Sequence, residues 1–158
     1  MDIIVKIESE DGVDKLSYVG PINEEAEVHL GDLIDKIGNV CEVNFSKVEY
    51  VNSCGVRSWI NFMRDLGKER KLSFVECTPE IVLQINMIPS FRGTASIDSV
   101  FASYECTSCG NIEQVLFEAG KNLPGPDFEE LDEVKCGKCG QVMEMEEIEE
   151  EYFSFTAA

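Results

Sequence analysis

Tyr50-Val51-Asn52-Ser53-Cys54-Gly55-Val56, continued through Leu66, is the stretch from which the fold is read. An apolar strand end meets a polar turn, and beyond it Val56, Trp59, Ile60, Met63 and Leu66 recur at the spacing of a helix's buried stripe. The opposite stripe, Arg57, Asn61, Arg64 and Lys68, is basic on a chain of net charge −18. One side of this helix is for a core and the other is a candidate partner-binding face.

Working outward, strand-like segments at residues 3–7, 15–19, 40–45, 72–77 and 96–104 alternate with helical ones, which predicts an α/β layer. Gly20-Pro21-Ile22-Asn23 reads as a turn opening a first helix. In that helix Ala26, Leu30, Leu33, Ile34 and Ile37 share a face, and Gly38 is placed to end it. A third helix opens at Thr78-Pro79, a cap followed by a proline tolerated in the first turn, and stops near Pro89.

From Tyr104 the composition changes. Cys106-Thr107-Ser108-Cys109-Gly110 and Cys136-Gly137-Lys138-Cys139-Gly140 are two copies of one device, in which a two-residue spacer aims both sulfurs at one point. The glycine after each pair supplies the positive φ that such a turn demands. Cys106, Cys109, Cys136 and Cys139 together suit one structural zinc, and their closed thiolate shell leaves no position for catalysis. A disulfide in each pair or a rubredoxin-like iron site of an electron carrier uses the same spacing. The other three cysteines, Cys41, Cys54 and Cys77, lie among apolar neighbours and read as small buried hydrophobes.

With 158 residues and 44% hydrophobic content, the chain has material for one ordinary domain and a small appendage. The expected division is residues 1–103 and a zinc-ribbon lobe with an acidic tail at residues 104–158. The latter segment holds 14 of the 31 acidic side chains and 3 of the 13 basic ones. Such a surface repels phosphate backbones and anionic lipid, so neither nucleic acid nor membrane is expected as a partner. No basic leader precedes an apolar run and no stretch nears the roughly 20 apolar residues of a membrane span, so a cytoplasmic location is expected.

The order of strands and helices, the Gly20-Pro21-Ile22-Asn23 segment and above all Asn52-Ser53-Cys54-Gly55 make residues 1–103 resemble the STAS domain of anti-sigma-factor antagonists. In that family a strand ends in an Asp-Ser-Ser-Gly-like turn that opens an outward-facing helix, and a partner kinase phosphorylates the serine after the aspartate. The resemblance implies a mixed sheet with helices packed on it, with Ser53 as phosphoacceptor. It also implies a protein partner, a serine kinase or anti-sigma-type regulator, docking around Asn52, Ser53 and the basic helix face. Asn52 stands where the family usually has aspartate, and Cys54 where it often has a second serine.

Apart from the resemblance, a phosphate at Ser53 would meet unsatisfied N–H groups at a helix N-terminus. Simple capping of the helix by Ser53 or Asn52 is the alternative. His29, the single histidine, sits in the first helix without a catalytic neighbour in sequence. The expectation is a non-enzymatic regulator of bacterial signal transduction, with a zinc-stabilised adaptor lacking any phosphoswitch as the alternative.

Overall fold

The computed structural model describes residues 2–126 and 131–157. Met1, residues 127–130 and Ala158, which belong to the two expected segments, lie outside the described residues. Strand β1 (Ile4–Glu10) returns as β2 (Val13–Ile22) through Asp11-Gly12. Both turn residues have positive φ, 51° and 80°, as a two-residue hairpin turn matching the strand twist requires. There follow α1 (Ala26–Gly31), β3 (Val40–Val51), α2 (Ser53–Leu66), β4 (Lys71–Val75), α3 (Pro79–Met87), α4 (Pro89–Arg92) and β5 (Ser96–Ile97). The five strands form one sheet in the order β1-β2-β3-β4-β5, antiparallel at the hairpin and parallel thereafter.

A second, antiparallel sheet contains β6 (Ser99–Cys106), β7 (Ile112–Glu118), β8 (Val134–Lys135) and β9 (Val142–Met145) in the order β7-β6-β9-β8. A short helix α5 (Glu149–Tyr152) and a 3-10 turn (Ser154–Ala157) follow. The mixed α/β class expected from the sequence stands. Among the described residues no helix is long and apolar enough to cross a membrane.

Four local expectations change. Gly20-Pro21-Ile22 is the end of β2, not a turn. The chain turns at Asn23, whose Oδ1 accepts the Glu25 amide at 3.0 Å. The first helix stops at Gly31, since Gly31-Asp32 are poor helix formers, and Leu33 and Ile37 reach the core from a separate turn. Strand β3 continues six residues past Phe45 because its end pairs with Val19–Ile22, with two bulges that each place an extra residue in β3. Residues 96–104 are two strands in two sheets. Asp98 still donates its amide to Phe74 in the first sheet, at 2.8 Å, while Ser99 begins the second.

The core is centred on Trp59, which no water reaches and which packs against Phe45, Phe62, Phe74 and Phe91 with ring centroids 5.2 to 6.0 Å apart. Its indole N–H donates to the Phe91 carbonyl at 2.9 Å, so the buried ring leaves no polar atom unpaired. Trp59, Met63 and Leu66 of the predicted stripe are buried and Val56 and Ile60 half-buried. Phe62, off that stripe, is buried too.

The same apolar cluster runs on into the second sheet. Cys77 bridges Val100, and Phe153 stacks edge-on to Phe117 at 5.1 Å. The C-terminal strap is then held by side chains of α3 and α4 and by the backbone of β6. Asn86 Nδ2 donates to the carbonyls of Glu151 (3.3 Å) and Tyr152 (2.9 Å), Arg92 Nη1 donates to that of Phe155 (2.8 Å), and the Tyr152 hydroxyl donates to the Phe101 carbonyl.

Candidate functional site

The head of α2 is fixed by two residues that sequence spacing alone does not rank. Asn52 is extended (φ −109°, ψ 176°), and its Oδ1 accepts the Gly55 amide at 2.8 Å, so Asn52 is the helix cap. Its own amide donates to the Ile22 carbonyl at 3.1 Å, which seats the helix on the end of β2. Gly55 is buried where that contact is tightest. A Cβ there would lie 1.8 Å from the Ile22 carbonyl oxygen, so no other residue fits the backbone as it stands.

Ser53 is therefore the first helical residue and not the cap. It is exposed, and its hydroxyl makes no hydrogen bond among the described residues. Cys54 beside it is exposed as well, which corrects its assignment as a buried hydrophobe. The second position of the helix points outward, whereas Cys41 and Cys77 are buried in the core. Burial pushes the Cys41 thiol up to about 12, as expected of an inert thiol.

Asn52 uses both ends of its side chain. While Oδ1 caps the helix, Nδ2 donates to Glu24 Oε2 at 3.1 Å. The Glu24 carboxyl is held below its usual range by its own backbone N–H and then by this amide. An aspartate at position 52 would cap equally well but would face Glu24 with like charge, which gives a physical reason for the amide here. Two outcomes follow. Asn52→Ala should lower stability by about 0.5–2 kcal/mol in chemical denaturation. Asn52→Asp should keep the cap and move the Glu24 titration upward, as read by carboxyl NMR.

Along the outer side of α2, Arg57 and Arg64 are exposed and Asn61 is half-buried. Lys68 does not belong to the helix, because Gly67, at φ 75°, ends it one residue earlier. Lys68 joins Arg64 instead at the rim of a shallow cavity of about 320 Å³ floored by Ile60, Met63 and Leu72. Arg64 also lies 4.0 Å from Asp65, a surface pair of little energetic weight.

The four knuckle cysteines come together, their ligand atoms all within 4.8 Å of one another. Cys106 Sγ lies 3.4 Å from Cys139 Sγ and Cys109 Sγ 3.7 Å from Cys136 Sγ. A tetrahedral zinc with Zn–S bonds of about 2.3 Å sets sulfurs about 3.8 Å apart, so the cluster fits a metal ion with little adjustment. All seven cysteines are free thiols, so the within-pair disulfide alternative is not adopted.

Both knuckles have the same geometry. The amides of Gly110 and Gly140 donate back to the carbonyls of Cys106 and Cys136 (2.8 and 2.9 Å), and both glycines have φ 76°.

Around this ring of sulfurs lies a set of donors that the cysteine spacing does not disclose. The Lys138 amide and Asn111 Nδ2 reach Cys136 Sγ at 3.4 and 3.5 Å. Glu113 on β7 accepts both Asn111 Nδ2 and the Gly137 amide at 2.7 Å, tying one knuckle to the other. Backbone N–H groups, that of Cys139 foremost and then Lys138, lower the Cys136 thiol below its ordinary value, which favours the thiolate form that a metal ion takes. His29 is exposed on α1.

No family model matches the chain, and no curated protein matches it either. Among solved structures it is similar to an anti-sigma factor antagonist from Mycobacterium paratuberculosis, with a TM-score of 0.50 and 23% identity, over 61% of this chain and 85% of that one. At this identity the likeness shows the fold, which is the α/β fold that the resemblance in sequence led us to expect.

Proposed function

We propose that the chain is a non-enzymatic regulatory module of bacterial signal transduction that docks a protein partner at the head and outer face of α2. Phosphorylation of Ser53 is its switch and one structural zinc holds its C-terminal unit. The observation that carries this reading is the division of labour at the helix start: Asn52 caps, and Ser53 stands exposed with an uncommitted hydroxyl. A phosphate of charge about −1.5 to −2 there would rewrite an interface and spare the core. The partner is of the class that reads such a serine, a serine kinase or an anti-sigma-type regulator, contacting Asn52, Arg57, Asn61, Arg64 and the nearby Lys68. The cysteine cluster, with its four ligands closed by the protein, serves stability and not chemistry.

The adaptor reading, in which Ser53 is never modified, draws support from Glu24, whose carboxylate sits against Asn52 and opposes a second anion nearby. Mapping phosphoserine in protein isolated from its native cells separates the two. The switch reading expects phosphate on Ser53, and a chain unmodified at Ser53 across growth phases and stresses favours the adaptor. Since Asn52 carries the cap, Ser53→Ala should melt within about 0.5 kcal/mol of wild type. Ser53→Asp should gain about 0.3–1 kcal/mol from the helix dipole.

A further inference from the structure

Helix α3 is apolar on nearly every side. Ile81, Val82 and Ile85 face the core, yet Leu83 and Met87, four residues apart on one outward stripe, are 52% and 59% exposed. A helix with this pattern is normally covered all round. Opposite it runs the C-terminal strap, and between the two lies a groove of about 370 Å³ with Leu83 and Tyr152 among its lining. Carboxylates of Glu80, Glu147 and Glu151 also line it, and Ile148, next to Glu147, is 64% exposed.

Asn86, also in the lining, spends its Nδ2 on holding the strap, and its Oδ1 is buried without a hydrogen-bond partner among the described residues. An acceptor cut off from water is a standing cost until a donor reaches it. The groove also starts beside the α2 head, because Glu80 Oε1 accepts the amide of Val51, the residue before Asn52, at 3.3 Å.

We infer that this groove seats a short segment of the partner protein that presents Lys or Arg beside apolar side chains, its apolar residues on Leu83 and Tyr152, extending toward Met87 outside the groove, and its cations among the three glutamates. Charge complementarity selects this occupant. A second copy of a chain with net charge −18 would bring like charge to an acidic rim. The C-terminal unit thereby acquires a role in recognition, since its strap supplies one wall. The inference rests on the reading of the chain as a docking module but adds a surface independent of Ser53. An unmodified Ser53 would leave it standing, and its own failure would leave the α2 head untouched.

The test uses the full-length chain and a fluorescein-labelled peptide of leucine and lysine, about 14 residues long with its leucines at helical spacing, beside a scramble of the same composition. By fluorescence anisotropy near physiological salt, the patterned peptide should bind about tenfold tighter than the scramble. Leu83→Glu should weaken it about tenfold although it makes the surface more negative, and Leu83→Ser, the check against misfolding, should do so in the same direction. Glu147→Gln combined with Glu151→Gln should flatten the salt dependence. Equal binding of the scramble, or undiminished binding by Leu83→Glu, would assign the interaction to bulk charge and overturn the inference. A wild-type dimer that Leu83→Glu converts to monomer would give the groove to a second copy and overturn it as well.

Discussion

Serine in place of Cys136 should loosen the whole second sheet and release the C-terminal strap, the largest effect expected of any single substitution outside the main core. Four-thiolate zinc sites provide about 10 kcal/mol or more of apparent binding energy in small peptides, and here the apolar material under the site is thin. Strands β8 and β9 are 2 and 4 residues long. The knuckle that Cys136 anchors leads directly into β9, and from there into Tyr152, Phe153 and Phe155, all buried, with Phe153 against Phe117 and the strap tied to Asn86 and Arg92.

Loss of the ligand should therefore expose aromatic surface well away from the metal. Limited proteolysis should cut beyond Tyr104 in the variant, or in chelated wild type, while the first sheet resists. Metal analysis should find about one zinc per chain. Unchanged protease resistance after chelation would show that the sulfur cluster is not structural, and iron in place of zinc would revive the electron-carrier reading.

Alanine at Gly55 should be nearly as damaging, for a different reason. The added methyl has no flexible side chain to push aside, because the atom at 1.8 Å is the Ile22 carbonyl oxygen and the next nearest belong to the same peptide group. Relief requires moving the α2 head off the end of β2, which also strains the Asn52 amide bond to Ile22 and the cap to Gly55. Overpacking of this kind costs about 3 kcal/mol or more, which for a chain of this size lowers the melting temperature by about 10 °C. A shift of about 1 °C or less would mean that the contact relaxes easily. The substitution should also impair partner docking at the head without altering any exposed side chain.

What could be read from the sequence is what is encoded locally. The cysteine pairs and their glycines state the knuckle geometry within five residues each, and Val56, Trp59, Met63 and Leu66 state the inward side of α2. Features set by distant parts of the chain stayed hidden. Whether Asn52 or Ser53 caps α2 depends on Ile22 and Glu24, about thirty residues earlier. That residues 96–104 divide between two sheets depends on pairing with Phe74 and Cys77 on one side and with β7 on the other.

The aromatic run Tyr152-Phe153-Ser154-Phe155 gives no sign in sequence that Asn86 and Arg92 will hold it. Asn111 and Glu113 carried a faint signal, being polar residues just after a knuckle, but only the folded sheet brings them to Cys136 and Gly137. Cys54 and Lys68 were misplaced because helical phase near an end is decided by the cap and the terminating glycine, not by the periodic stripe.

The central claim, that Ser53 is the point at which docking is switched, is tested most directly by the affinity of a purified partner for three forms of the full-length chain. The partner is first captured from native-cell extract on the wild-type protein, then titrated calorimetrically against wild type, Ser53→Ala and Ser53→Asp. The account predicts that alanine binds like wild type and that aspartate shifts the affinity about tenfold or more, because a charge buried at an interface must be paired or carries a cost of several kcal/mol. Equal affinities for all three forms would contradict it and leave the chain a zinc-stabilised adaptor.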